Sequence, residues 1–311
     1  MSNTTTSSFS IDIIFSYDLR FWLYLLPNTL SIICSIFLLY HLLFDRKLRR
    51  ALNNHIIILL LFIGLVFELT DIPWYLYYYR FNTAWNKSHL FALFWTYIDV
   101  AFYTTQVILF AWATIERHIL IFHDRWILTK KKRFVLHYLP PMIISIYSFT
   151  WYYLLIFAPF CTNSYDYSVA RGIVSFCALN NPILPKWNLI GHQLIPTVTI
   201  ITFSITLLLR VLLQKRRLHR RINWRKQRKM TIQLLSISIV YLTFNIPWSS
   251  IYLAHYFGVP RNIGAEFRLY AAFFGNYLIL AFPFSCLFSL PELYVKLCCC
   301  RPRRRVIAPR T

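Results

Sequence analysis

Residues 21–44 read FWLYLLPNTLSIICSIFLLYHLLF, and the basic segment RKLRR follows at 46–50. The apolar run is longer than the about 20 residues that a helix needs to cross the hydrocarbon core of a bilayer. Basic residues collect on the cytoplasmic side of such helices. This stretch therefore predicts a transmembrane helix whose carboxyl end faces the cytoplasm.

The composition of the whole chain extends this prediction. Apolar residues make up 58% of its 311 residues and charged residues 14%, against roughly 45–50% and 25% in soluble domains. Six further apolar stretches follow the first: Leu52–Tyr78, Leu90–Phe122, Phe134–Phe157, Trp187–Leu213, Met230–Tyr256 and Phe267–Leu290. Together with Phe21–Phe44, they predict an all-α membrane protein, a bundle of seven transmembrane helices.

The net charge of +22 follows the same division of the chain. Most lysine and arginine residues collect in four segments that alternate with poorly charged gaps: Arg46–Arg50, Arg117–Arg133, Arg210–Lys229 and Lys296–Arg310. An excess of basic residues marks the short cytoplasmic loops of membrane proteins. The pattern predicts an amino terminus outside, a carboxyl terminus inside and contact with an anionic lipid bilayer, and it argues against nucleic-acid binding.

The regions outside the bundle are short. We expect an extracellular tail at 1–20, a membrane domain at 21–297 and a basic cytoplasmic tail at 298–311. The sequons at Asn3 and Asn86 both fall in segments that the charges assign to the outside, so both are candidate glycosylation sites.

The end of the chain suggests attachment to the membrane surface. Residues Leu290–Lys296 predict a short amphipathic helix after span seven, and Cys298, Cys299 and Cys300 follow beside basic residues. Such a cluster is a candidate for palmitoylation, and the alternative is that these are ordinary cysteines at the membrane edge.

Motifs for catalysis are missing from the sequence. The six glycines are too dispersed for a phosphate-binding loop, and no His-Glu-x-x-His, Gly-x-Ser-x-Gly or Cys-x-x-Cys pattern occurs. The chain is therefore not predicted to be an enzyme, and we expect no cofactor, catalytic residue or metal site.

The third apolar stretch ends in ATIERHILIF at 113–122, which places Glu116, Arg117 and His118 at its cytoplasmic edge. This resembles the Asp/Glu-Arg-Tyr motif of rhodopsin-like, class A G protein-coupled receptors. The resemblance implies that the acid holds the arginine at rest and that the arginine contacts the G protein when the helices separate.

The resemblance extends over most of the membrane region. Pro196, Pro247 and Pro283 lie where the family has prolines in helices five, six and seven, and they are the candidate helix hinges. Other positions depart from the family. Ile63 replaces the helix-two aspartate, so the allosteric sodium site of the family is not expected, and the segment Arg225–Lys229 lacks the acid that often restrains the motif arginine.

Asp99 is the most informative acid within the apolar stretches. It precedes Arg117 by 18 residues, which corresponds to about 27 Å along a helix and places Asp99 in the outer half of span three. A buried carboxylate at this depth is a candidate for a functional site. The alternative is a structural hydrogen bond, for instance to Trp95 or Tyr103. Further acids, Glu68 and Asp71, lie three residues apart on span two and would add negative charge to the same pocket.

A cationic ligand, such as an amine or an arginine-containing peptide, would suit this pocket. Further polar or aromatic groups lie in the outer halves of spans five to seven, and they either contact the ligand or pair with one another between helices. These groups are His192, Gln193, Asn245, Trp248 and Asn276.

Two cysteines, Cys161 and Cys177, lie in segments assigned to the oxidising side. The family usually has a partner cysteine at the top of helix three, but this position is near Ala92. We therefore predict that Cys161 and Cys177 pair within the second outer loop, a closure that contributes about 3 kcal/mol.

The resemblance implies a plasma-membrane receptor that binds an extracellular ligand and activates a heterotrimeric G protein. Its ligand class would be that of a neuropeptide receptor or a chemosensory receptor. Two alternatives stay open, namely a seven-helix transporter or carrier that uses Asp99, Glu68 and Asp71, and a decoy receptor that does not signal.

Overall fold

The computed structural model describes residues 15–122, 129–167, 174–217, 224–260, 262–290 and 293. Asn3, most of the segment after span seven and the cysteines at 298–300 lie outside the described residues, so the predictions made for them stay predictions. The described residues are predominantly helical, and seven spans run through them.

Span one is Tyr17–Phe44 and span two is Leu52–Phe81; the short helix Arg46–Arg49 lies between them. Span three consists of His89–Tyr97, Ile98–Phe102 and Tyr103–Phe122. Span four consists of Lys130–Arg133, Phe134–Tyr138 and Leu139–Phe157. Span five consists of Leu184–Leu189, Ile190–Leu194 and Ile195–Arg217. Span six is Trp224–Tyr256, and span seven consists of Ala265–Gly275 and Tyr277–Ser289.

The prediction of seven spans is confirmed. Six of these helices are long and apolar enough to cross a membrane alone, and the two parts of span seven do so as a pair bent by 41°. The bend lies at Asn276, where the sequence predicted one continuous apolar stretch. Orientation relative to the bilayer stays a prediction, and the chain is a multi-pass membrane protein.

Polar side chains cap the beginnings of three spans. The hydroxyl oxygens of Ser16, Ser88 and Thr129 each accept a hydrogen bond from a backbone N–H in the first turn, at 3.3 Å in all three cases. These caps satisfy donors that the helix itself leaves unpaired. Span two ends at Phe81, because the next residue, Asn82, has a left-handed φ of 52° that stops the helix.

Span three occupies the centre of the bundle. It packs against spans two, four, five and six, while spans two, one, seven, six and five follow one another around the outside. In its most apolar 18-residue segment, 72% of the residues are buried, compared with 22% in the corresponding segment of span four. A side chain on span three is therefore the best placed to connect the two ends of the molecule.

Among the described residues, three spans contain a turn of π-helix: Ile98–Phe102, Phe134–Tyr138 and Ile190–Leu194. Such turns insert one extra residue and are frequent at functional sites. They carry Asp99, His137 and His192 respectively, and each of these side chains is buried.

A small antiparallel hairpin covers one end of the bundle. Its strands are β1, Ser164–Tyr165, and β2, Val174–Ser175. The predicted disulfide between Cys161 and Cys177 is confirmed and closes the base of this hairpin. We call the end with the hairpin the outer end and the opposite end, where Arg117 lies, the inner end.

Candidate functional site

The motif of Glu116, Arg117 and His118 is buried at the inner end of span three, with exposed fractions of 1%, 2% and 8%. Glu116 Oε1 pairs with His137 Nδ1 of span four. The ring of His118 lies against that of Phe203 on span five, with centroids 5.7 Å apart. The motif therefore connects span three to spans four and five at the inner end.

His137 continues the contact of Glu116 toward span two. Its Nε2 lies 2.9 Å from His55 Nδ1, and His55 Nε2 lies 2.8 Å from the backbone oxygen of Arg49. The sequence did not single out either histidine. The only signal available was the position of two polar rings near the inner ends of apolar stretches.

At the outer end, Asp99 is 9% exposed and lies on the π-turn of span three. Its two predicted structural partners have described contacts with other residues. Trp95 Nε1 donates to Asp71 Oδ1 at 2.8 Å, which joins spans three and two. Tyr103 donates its hydroxyl proton to Asn245 Oδ1 at 3.2 Å, which joins spans three and six.

Asn245 also donates from Nδ2 to Thr197 Oγ1 at 2.7 Å. Tyr103, Asn245 and Thr197 thus join spans three, six and five, and we call these three residues the three-helix clasp. Pro247 and Pro196 lie two residues and one residue from members of the clasp. The clasp consequently lies beside two of the predicted helix hinges, whereas Pro283 lies inside span seven.

The structure directs the two acids of span two to different neighbours. Glu68 accepts hydrogen bonds from the hydroxyls of Ser31 at 2.6 Å and Ser35 at 3.4 Å, both on span one. Asp71 accepts from Trp95 on span three. Asp71 thus lies next to the segment that carries Asp99, and Glu68 lies on the side of span one.

Two further predicted ligand contacts have partners between helices. His192 Nε2 lies 2.9 Å from the Tyr147 hydroxyl, and its Nδ1 lies 2.9 Å from Asn188 Oδ1. Asn276 donates to the Tyr24 hydroxyl at 3.3 Å and so faces span one.

The remaining two residues of the predicted site lie on spans five and six. Gln193 Oε1 is buried and accepts no hydrogen bond from the described part of the chain. The ring of Trp248 contacts that of Tyr252, with centroids 4.5 Å apart. Thus Trp95, Asp71, Tyr103 and Asn245 form linked pairs above and below Asp99, while Glu68, His192 and Asn276 bond to other sides of the bundle.

The loop that carries the disulfide packs onto the outer end of span three. The ring of Tyr165 lies 4.2 Å from that of His89, and Asn163 Oδ1 accepts a hydrogen bond from the Cys177 backbone at 3.1 Å. Asn86 is exposed in the loop between spans two and three, where its side chain accepts from the Ser88 backbone at 2.8 Å. Within the described residues, no group of three metal-binding side chains comes together.

The family model for the 7 transmembrane receptor (rhodopsin family) matches residues 35–289, which cover all seven spans except residues 17–34 of span one. No curated protein matches the chain.

Proposed function

Because the chain belongs to the rhodopsin family of seven-transmembrane receptors, we propose that it binds a cationic extracellular ligand at Asp99 and promotes nucleotide exchange on a heterotrimeric G protein. One observation carries the proposal. The central span holds a buried acid, Asp99, in its outer half and a buried arginine, Arg117, at its inner end. The receptor would act at the plasma membrane.

The preference for a cation rests on the charge at the outer end. A carboxylate within a transmembrane helix is costly and usually has a functional role. Asp99 lies one helical turn from Trp95, which binds the second acid, Asp71. A ligand amine or guanidinium would bring a positive charge to this acidic segment and gain charge-assisted hydrogen bonds there. Gln193 Oε1 on span five would supply a further acceptor.

The three-helix clasp offers a route from the ligand to the inner end. Tyr103 lies four residues, about one turn, after Asp99 on span three, and its hydroxyl is bonded to Asn245 on span six. A ligand that displaces the turn around Asp99 would change this bond. Span six would then tilt about Pro247, which lies inside the helix two residues beyond Asn245 and lacks the N–H for one backbone hydrogen bond.

Coupling at the inner end would depend on Arg117. In the described structure Glu116 bonds to His137 of span four. Outward movement of span six would open the inner end around Arg117 and create the surface that a G protein contacts.

The test is guanine-nucleotide exchange in cell membranes that contain the receptor and a panel of G proteins, with amine and peptide fractions as ligands. We expect exchange in the wild type and none above background in Arg117→Ala at equal surface expression. Exchange that is equal in the two proteins would contradict the assignment of Arg117.

The ligand site is tested in the same assay. We expect Asp99→Asn to weaken the response to a cationic ligand by tenfold or more, which corresponds to about 1.4 kcal/mol. Asp18→Asn is the matched control, because this exposed acid at the outer end pairs with Arg80 at 3.5 Å and lies outside the proposed pocket. Equal loss in both variants would contradict binding at Asp99.

A carrier that uses Asp99, Glu68 and Asp71 predicts a different result. Substrate flux would follow the protonation of these acids, and Arg117→Ala would leave the flux unchanged. A decoy receptor would bind ligand through Asp99 and give no exchange with any G protein.

A further inference from the structure

A chain of hydrogen-bonding groups runs across the inner end of the bundle. Glu116 Oε1 pairs with His137 Nδ1, His137 Nε2 lies 2.9 Å from His55 Nδ1, and His55 Nε2 lies 2.8 Å from the Arg49 carbonyl oxygen. We call Glu116, His137 and His55 the histidine relay. The relay joins spans three, four and two. Its last contact is with the backbone carbonyl of Arg49, which lies just before span two.

Each contact in the histidine relay requires one hydrogen. The Arg49 carbonyl can only accept, so His55 Nε2 must carry a hydrogen. The contact between the two rings requires a second hydrogen, and the contact between His137 and Glu116 requires a third. Two neutral imidazoles supply only two hydrogens, and an ionised carboxylate supplies none.

The complete relay therefore holds one proton more than two neutral histidines and a carboxylate contain. This proton makes one ring an imidazolium or makes Glu116 a neutral acid. In both cases the relay as a whole has no net charge. If the proton leaves, one contact lacks its hydrogen, and Glu116 becomes a carboxylate without compensation from the relay.

His55 is the more exposed of the two histidines, so we expect the proton to exchange with solution through His55. His137 is 2% exposed, but His55 is half-buried. Both rings line a cavity of about 380 Å³ between spans two and four, together with Tyr138. Imidazole is the side chain whose charge ordinarily changes between about pH 5 and 8.

Other charged and titratable groups surround the relay. Arg117 follows Glu116 on span three, and its charge interacts with that of Glu116. The Tyr138 ring stacks on His55 at 5.7 Å. Arg49 and the exposed basic turn Lys130–Arg133 flank the relay at the ends of spans two and four. The positive charges of Arg117, Arg49 and Lys130–Arg133 all favour loss of the relay proton. Arg117 is the one adjacent to Glu116 in the sequence.

We propose that His137 and His55 are positioning residues that hold Glu116 through a shared proton, so that coupling by Arg117 decreases as the pH at the inner face rises. The proposal rests on the proposed receptor function. With the proton bound, the charge of Glu116 is neutralised within the relay and restrains Arg117 less. Without the proton, the Glu116 carboxylate attracts Arg117 and stabilises the resting state.

Nucleotide exchange in open membrane fragments between pH 5.5 and 8.5 tests this direction. Wild-type exchange is expressed as a ratio to the exchange of the variants below at the same pH. We expect this ratio to fall about fivefold or more from the lowest to the highest pH. His137→Gln cannot hold the proton and is expected to show low exchange at every pH. Glu116→Gln lacks the carboxylate and is expected to show high exchange at every pH.

The matched control is His41→Gln, because His41 lies at the inner end of span one and its described ring contacts are with Phe37 and Tyr40. This variant should keep the wild-type pH profile. A profile in His137→Gln that equals the wild-type profile would overturn the proposal.

A second measurement reads the proton directly and needs no G protein. Nitrogen-15 NMR of histidine-labelled receptor in nanodiscs should show a signal that titrates in this pH range and disappears in His137→Gln. A His137 signal that stays a single neutral tautomer throughout would overturn the proposal. A titrating signal without exchange at any pH would support the relay and contradict the proposed receptor function instead.

Discussion

Ser31 and Ser35 lie one turn apart on span one and both face the Glu68 carboxylate. The Ser31 bond is 2.6 Å long and the Ser35 bond 3.4 Å. Hydrogen bonds between transmembrane helices contribute about 0.6 kcal/mol on average and about 1.7 kcal/mol at most. We expect Ser31→Ala to lower the unfolding temperature of the purified receptor measurably and Ser35→Ala to lower it less. Equal or reversed effects would contradict the assigned contacts.

The three-helix clasp makes a second prediction for single residues. Tyr103→Phe removes only the hydroxyl that donates to Asn245, whereas Asn245→Ala also removes the donor to Thr197. Spans three and six would separate more easily in both variants. Ligand-free nucleotide exchange should therefore increase in Tyr103→Phe and increase further in Asn245→Ala. Tyr40→Phe, on an exposed side of span one, is the control, and exchange at wild-type levels in both clasp variants would exclude this role.

The positions of Glu68 and Asp71 show why the site was harder to predict than the spans. Three residues correspond to 300° around a helix, so the two side chains point about 60° apart. Span two lies between spans one and three. A difference of this size is enough to direct Glu68 to one neighbour and Asp71 to the other. Sequence spacing gives the angle between the two acids, but it does not give the rotation of the helix in the bundle.

At the scale of elements, the disulfide of the outer loop closes a short local segment. Cys161 and Cys177 are separated by 16 residues, and both belong to the loop that contains β1 and β2. The loop also contacts span three through Tyr165 and His89. The bond therefore orders the hairpin without being the only attachment of the loop to the bundle.

We expect Cys161→Ser to destabilise the hairpin by about 3 kcal/mol, as for a closed loop of about 15 residues. Amide hydrogens of Tyr165 and Val174 should exchange faster in this variant, while those of span three keep wild-type rates. Cys34→Ser is the control, since Cys34 is a free cysteine buried in span one. Faster exchange throughout the bundle would mean that the disulfide stabilises more than its own loop.

The spans themselves could be predicted because each must fill the bilayer with apolar residues, a requirement that composition alone reveals. The start of span two agrees at Leu52, and its end differs only by the three residues from Tyr78 to Phe81. The π-turns and the bend at Asn276 could not be predicted in this way. They change the direction of side chains without changing the apolar content of the stretch, and packing between helices decides where they occur.

At the scale of the whole molecule, the predicted orientation can be tested through the predicted glycosylation of Asn86. The exposed side chain lies in the loop between spans two and three, at the same end as the disulfide. If this end is outside, glycosidase treatment should increase the gel mobility of the wild type. In Asn86→Gln, this increase in mobility should be smaller by the contribution of the sugar at residue 86. Ser88→Thr keeps the sequon and should behave as the wild type. Glycosylation at a sequon introduced into Arg46–Arg50 would show that the orientation is the reverse of the predicted one.

The distribution of charge at the inner end makes a last prediction about the resting receptor. The segment Arg225–Lys229 at the start of span six has only basic residues and Gln227, where the resemblance would place an acid that restrains Arg117. The resemblance implies that like charges at this place would oppose closure of spans three and six. We expect ligand-free exchange above that of mock-transfected cells and a several-fold decrease in Gln227→Glu, which supplies an acid, but not in Gln227→Asn. Exchange at the mock level in the wild type would contradict this prediction. It would mean that contacts other than an acid on span six hold Arg117 in the resting state.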